Sequence, residues 1–231
     1  MDINEVLELL KSMKNEQNRA GMARFGINVE KAFGISMKQL YPIARKIKKN
    51  HNLAFQLWET GFHEARLLAI IIAEPKLLTS ETMDRWTQDF NSWDICDQAA
   101  MKLYSKMPNA WEKVELWAKS EAEFVRRAAF ALIAALSHHY KLKDNTPFEK
   151  SLMIIKEYCT DERNFVKKAV NWALREIGKR NYELYLKAKN MCIEILEQFP
   201  SSRAARWIAK DALRELESHK IIERVKKSKF N

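Results

Sequence analysis

The chain has 231 residues, 47% hydrophobic and 30% charged, the balance of a folded globular protein and not of a disordered one. Five glycines and five prolines are too few for a β-rich fold, which needs turn residues every ~8–12 positions; the composition therefore points to an all-α class. Forty Lys plus Arg against thirty Asp plus Glu give a formal net charge of +10, which favours a polyanionic partner, and no apolar run approaches the ~18 residues of a membrane span.

Residues 1–50 read as an opening helical segment, interrupted at Gly34 and at the Tyr41-Pro42 step. Its start, MDINEVLELLKSM, mixes acids into an amphipathic pattern. It lacks a basic stretch followed by an apolar one, so no signal peptide is read and a cytoplasmic location is expected. Residues 57–73, LWETGFHEARLLAIIIA, read as an early, loose copy of a unit that recurs below, with Trp58 eight residues before Arg66. His63, at the start of that helix, reads as structural.

Next comes NSWDICDQ, 91–98. With a helix starting near Trp93, Ser92 or Asn91 serves as N-cap. Trp93 and Asp97, four apart, then share a face. Asp94 points elsewhere, and its carboxylate suits the helix N-terminus.

Two later segments repeat: FVRRAAFAL at 124–132 and FVKKAVNWA at 165–173, an offset of 41. An aromatic, Trp117 or Tyr158, stands ten residues before Arg127 and Lys168 respectively. Between the copies, Ser137–Pro147 is the most loop-like stretch. SSRAARWIAKDALREL at 201–216 is a further copy. From Lys220 the chain reads as a basic, frayed tail. Cysteines 96, 159 and 192 are odd in number and lack metal-ligand spacing, as reduced cytosolic thiols do.

Helix pairs recurring every ~35–45 residues mark a HEAT-like helical-repeat superhelix, an α-solenoid. One domain over 1–219 is expected, with 220–231 as the tail. Small residues such as Ala128, Ala129, Ala169 and Ala204 permit close stacking. Arg66, Arg127, Lys168 and Arg203 occupy related places in the repeats and predict a basic stripe matched to a phosphate backbone. Arg126, Lys167 and Arg175 are further candidates for phosphate contact, with Arg66, Arg175 and the basic tail the weaker ones. Trp172 replaces the small Ala131 of the sister repeat and predicts a protruding indole. Trp58, Trp86, Trp111, Trp117 and Trp207 are assigned to packing.

SWDICDQ, FVRRAAF and KKAVNWALREIGK, in that order and at these distances, resemble the AlkD-type DNA alkylation repair glycosylases, which are HEAT-like-repeat proteins. The resemblance runs from MARFGI, beginning at Met22, to the helix ending at Leu216. It implies that Trp93 and Asp97 are an active-site aromatic and carboxylate, Trp172 a second active-site tryptophan, and Arg127 a basic neighbour. It also implies a substrate: duplex DNA holding a purine made cationic by alkylation at N3 or N7. A monomer with no metal and no redox cofactor is expected, needing neither a membrane nor an obligate protein partner.

The residue types suit that chemistry. An alkylated purine is already a good leaving group, and its departure leaves positive charge on the sugar. A carboxylate at Asp97 stabilises that charge and orients water. Indoles at Trp93 and Trp172 hold the cation by contacts of roughly 0.5–2 kcal/mol each. Two positions depart from the family's pattern: Phe25 stands where tyrosine is common, and Ser92 where a second aromatic is common. They leave an alternative, a non-catalytic repeat protein that binds bent or branched DNA. A protein-interaction scaffold is a third reading, which the basic stripe argues against.

Overall fold

A computed structural model describes residues 1–140 and 143–227. Among the described residues all regular structure is helical, and none of the helices is long and apolar enough to cross a membrane. Where one repeat domain over 1–219 was expected, the chain groups into two compact units, 1–107 and 108–231.

The first unit holds α1 (Ile3–Ser12), α2 (Glu16–Arg24), α3 (Met37–Ile47), α4 (His51–Glu59), α5 (His63–Ile72), α6 (Ser80–Gln88) and α7 (Trp93–Lys102). Local chemistry sets many of the starts. Asp2 and Glu5 form a reciprocal capping box on α1, and Asn15, Asn50 and Thr79 cap α2, α4 and α6 through their side chains, satisfying backbone donors that a helix leaves open. The expected break at Pro42 is absent: α3 runs through it, losing one backbone hydrogen bond at its middle. The core stacks Trp58 on Trp86, ring centroids 4.2 Å apart and nearly parallel, with Phe55 and Phe90 against them.

Between α2 and α3 the chain is irregular, and it is held by distant side chains. The buried carboxylate of Glu64, in the first turn of α5, accepts the backbone N–H groups of Phe33, Gly34 and Ile35 at 2.9, 2.7 and 3.0 Å. A loop with three backbone donors pointing one way is a nest for an anion, and Glu64 supplies it internally. Gly34 is required here. Its φ is +84° and a Cβ would lie 2.2 Å from the Asn15 carbonyl oxygen.

The second unit holds α8 (Ala110–Ala118), α9 (Glu123–His139), α10 (Thr146–Tyr158), α11 (Asn164–Gly178), α12 (Tyr182–Gln198), α13 (Arg203–Leu216) and α14 (His219–Lys227). Helices α9, α11 and α13 pack in one row and α8, α10 and α12 in another. This is the repeat pattern expected from the 41-residue offset. From Val125 to Ser137 every residue of α9 is buried, and its alanines let α8 and α11 approach closely. The loop expected at Ser137–Pro147 is shorter: α9 extends to His139 and α10 begins at Thr146, while Lys141 and Leu142 lie outside the described residues.

The expected tail is also revised. Residues 219–227 form α14, which buries Ile221 and Val225 and packs on α12 and α13. Apolar residues four apart give that segment a face to cover, which its charge obscured. Residues 228–231 of the tail lie outside the described residues.

Candidate functional site

In the first unit, Ser92 is the N-cap of α7, but its hydroxyl makes no cap hydrogen bond. Fully buried, it accepts instead the backbone N–H of Asn28 at 2.9 Å. A small hydroxyl residue is what this contact needs. Trp93 follows at the first position of α7, half-buried, and its indole N–H donates to the Phe25 carbonyl at 3.0 Å. Phe25, the C-cap of α2, has its side chain turned outward and is 75% exposed. Asp97 lies one helical turn beyond Trp93 and is partly exposed.

The neighbouring carboxylate has other work. Asp94 lies in the first turn of α7, with Oδ1 accepting the N–H of Ile95. Its Oδ2 is 2.9 Å from Nε2 of buried His63. The His63 backbone N–H in turn donates to the Lys31 carbonyl at 2.7 Å. His63 is thus a structural strut from α5 to α7.

Arg66 was expected at phosphates, and its surroundings differ. Its Nη1 donates to the Asp89 carbonyl at 2.9 Å, and the guanidinium lies over Trp58, 5.1 Å from the ring centroid. Burial lowers its pKa from the ordinary arginine value. It braces the turn leading into α7.

In the second unit the predicted cations divide into two groups. Arg126 and Arg127 are buried. Arg126 donates to the Ala118 carbonyl, to Asp161 at 2.8 Å and to Glu121 at 3.1 Å, and its guanidinium lies over Tyr158. The expected phosphate contact is therefore corrected to an internal one: side chains facing the next repeat at the helix N-termini bind that repeat. Arg127 Nη1 donates to the Phe165 carbonyl at 2.6 Å, again joining α9 to α11. Arg175 bonds to Asn171 Oδ1 and pairs with Glu215, joining α11 to α13.

Lys168 and Arg203 are exposed. Trp172, one turn beyond Lys168 on α11, is half-buried and so protrudes only in part. Lys167 reaches across to α13, its Nζ 5.8 Å from the Trp207 ring centroid. Trp207 itself, assigned from the sequence to packing, is 39% exposed. It lies in an open groove with Arg203, Arg206, Lys210, Asp211 and Arg214. The cations at 206, 210 and 214 were not singled out from the sequence, although their spacing of four along one helix was a readable sign of a shared face. Among the described residues no group of three or more His, Cys, Asp or Glu is placed to hold a metal ion.

Comparison with known proteins gives a consistent assignment. An uncharacterized protein of Listeria innocua is 24% identical over 160 residues, spanning 68% of this chain and 69% of that protein. A counterpart from Listeria monocytogenes matches to the same extent. One solved structure is described as a new family of proteins related to the HEAT-like repeat DNA glycosylases with affinity for branched DNA structures. It superposes with a TM-score of 0.78 at 24% identity, covering 93% of this chain and 95% of its own. That likeness establishes an all-helical HEAT-like repeat fold. The model of one family, the DNA alkylation repair enzymes, matches residues 6–216, and with so much of the chain covered, the protein belongs to that family.

Proposed function

We propose that the protein is a DNA glycosylase that hydrolyses the N-glycosidic bond of cationic N3- or N7-alkylated purines in duplex DNA. The observation that carries this reading is the pairing of a carboxylate with an indole on one face of α7. Asp97, partly exposed, lies one turn from Trp93, which is anchored on the Phe25 carbonyl. Family membership supports the same reading.

In this mechanism the bond from C1′ to the purine nitrogen breaks, and its electron pair leaves with the base, cancelling the base's positive charge. The water oxygen bonds to C1′, and the water proton passes to the carboxylate and then to solvent. Asp97 stabilises the developing positive sugar and orients the water. The aromatic face of Trp93 favours a cationic nucleotide. Exposed Lys168 and Arg203 contribute phosphate contacts, which make binding salt-dependent.

Release of N7-methylguanine or N3-methyladenine from duplex DNA tests the proposal. Asp97→Asn is expected to lower the rate by at least about 100-fold, the scale of removing one preorganised electrostatic contact. A second reading, DNA binding without excision, has its own support in the buried Ser92–Asn28 contact, which fills the place of an aromatic, and in the solved relative's described affinity for branched DNA. Salt-sensitive binding with no base release in the wild type would favour it.

A further inference from the structure

We propose that the outward face of α13 is a stacking platform for an unpaired stretch of DNA, with Trp207 taking a base. The inference rests on the DNA-binding part of the reading above and not on its chemistry. Arg203, Arg206, Trp207, Lys210 and Arg214 recur at helical spacing on one side of α13 and line one open groove. The other side is the packed one, with Ala205, Ile208, Ala209 and Ala212 buried. At ~1.5 Å of rise per residue, the cations span about 16 Å, enough to follow several nucleotides of backbone. Asp211 is the lone acid of the groove and is engaged with Arg214.

Trp207 decides what kind of ligand this face fits. Trp58, Trp86 and Trp117 are buried in their cores, and Trp207 is 39% exposed among cations. Lys167 lies 5.8 Å from its ring centroid, a cation–π contact that steadies the indole without hiding it. A positively charged groove with an aromatic ring in it is the device by which single-stranded nucleic acid is held, backbone on the cations and base on the ring. Paired DNA hides its base faces within the stack, so only unpaired bases present a surface to Trp207. A lipid surface is excluded by the same geometry: membrane-lying helices insert an apolar face, and the apolar face of α13 is already buried in the fold.

The test is fluorescence anisotropy of the full chain with two undamaged oligonucleotides at one salt concentration. One is a forked duplex with unpaired arms, and the other is fully paired. The ratio of the two affinities is the readout. Trp207→Ala is expected to lower the preference for the fork about tenfold, the scale of losing one base–aromatic stack. Trp207→Phe, which keeps a ring, should retain most of the preference. Replacing the bases of the arms by abasic sites should lower wild-type binding to the level of the alanine variant. An unchanged ratio in Trp207→Ala overturns the proposal. So does an equal loss on both ligands, which would make the face a general phosphate contact. Because the DNA is undamaged, the result is independent of whether alkylated bases are released.

Discussion

The indole N–H of Trp93 donates to the backbone carbonyl of Phe25, 68 residues earlier, at 3.0 Å. The bond ties the first residue of α7 to the C-terminal end of α2 and fixes where both aromatic side chains stand. Trp93→Phe keeps a ring and removes the donor. Loss of one such bond should lower stability by about 1 kcal/mol in urea unfolding. Hydrogen exchange should also quicken at the Gly26 and Ile27 amides, which close the end of α2. Unchanged exchange there would mean that the bond does not anchor this turn.

Glu64 organises the loop that carries that turn. Glu64→Ala would leave the N–H groups of Phe33, Gly34 and Ile35 buried without their acceptor, and each orphaned donor costs roughly 1–3 kcal/mol. A loss above about 3 kcal/mol is expected in chemical denaturation. Gly34→Ala acts on the same loop by a different route, placing a Cβ against the Asn15 carbonyl at positive φ, and should cost about 2 kcal/mol or more.

Arg126 and Lys168 make opposite predictions although the repeats present both as basic. Arg126→Ala leaves Asp161 buried without one partner, and breaking a buried pair costs about 3 kcal/mol. Lys168→Ala touches an exposed side chain and should change stability by less than about 0.5 kcal/mol. It should also reduce the slope of log affinity against log salt by about one. Thermal unfolding beside DNA titrations at several salt concentrations separates the two. Equal effects on both readouts would contradict the division between internal and exposed cations.

Asp161 adds a pH signature. Burial raises its pKa, but hydrogen bonds from Arg163 and Arg126 outweigh that and hold it at about 2. A carboxyl whose folded pKa lies below its unfolded value stabilises the fold above the unfolded pKa, near ~3.9. That stabilisation, about 2 kcal/mol, is lost as pH falls through the folded pKa. Stability of the wild type should therefore decline between about pH 4 and 2 more steeply than that of Asp161→Asn. Parallel curves would show that the Arg126–Asp161–Arg163 cluster does not contribute through this proton.

Much of the fold was readable because it depends on local chemistry. The shortage of glycine and proline excluded strands, and the two FV-basic-basic segments 41 apart marked α9 and α11. Helical periodicity set Asp94 apart from the Trp93–Asp97 pair before any contact was known, since Asp94 is one position from Trp93 and adjacent residues of a helix point to different sides. The same reading offered Ser92 or Asn91 as the start of α7 but could not foresee that the Ser92 hydroxyl would bind Asn28.

What stayed hidden were contacts closed over long separations. Arg66 and Arg127 hold related places in the repeats, and both turn out to brace neighbouring segments. The Pro42 step looked like a break, yet packing of Leu40, Ile43 and Ala44 carries α3 across it. A helical wheel states which residues share a side; it does not state which side a neighbour will cover. Trp207 illustrates the limit, since a tryptophan beside Ala204, Ala205, Ile208 and Ala209 reads as core.

By itself the sequence determined the helical class and the repeat, and it supplied the candidates, Trp93 and Asp97 first, on which the proposed chemistry rests. Tertiary structure alone decided which cations are spent on the fold and which remain outward, and which of two neighbouring aspartates is bound to a histidine. The reason is physical. Periodicity is a property of consecutive residues, whereas burial depends on elements brought together from 30 or more residues away, and it is burial that turns a charge into a strut or leaves it for a ligand.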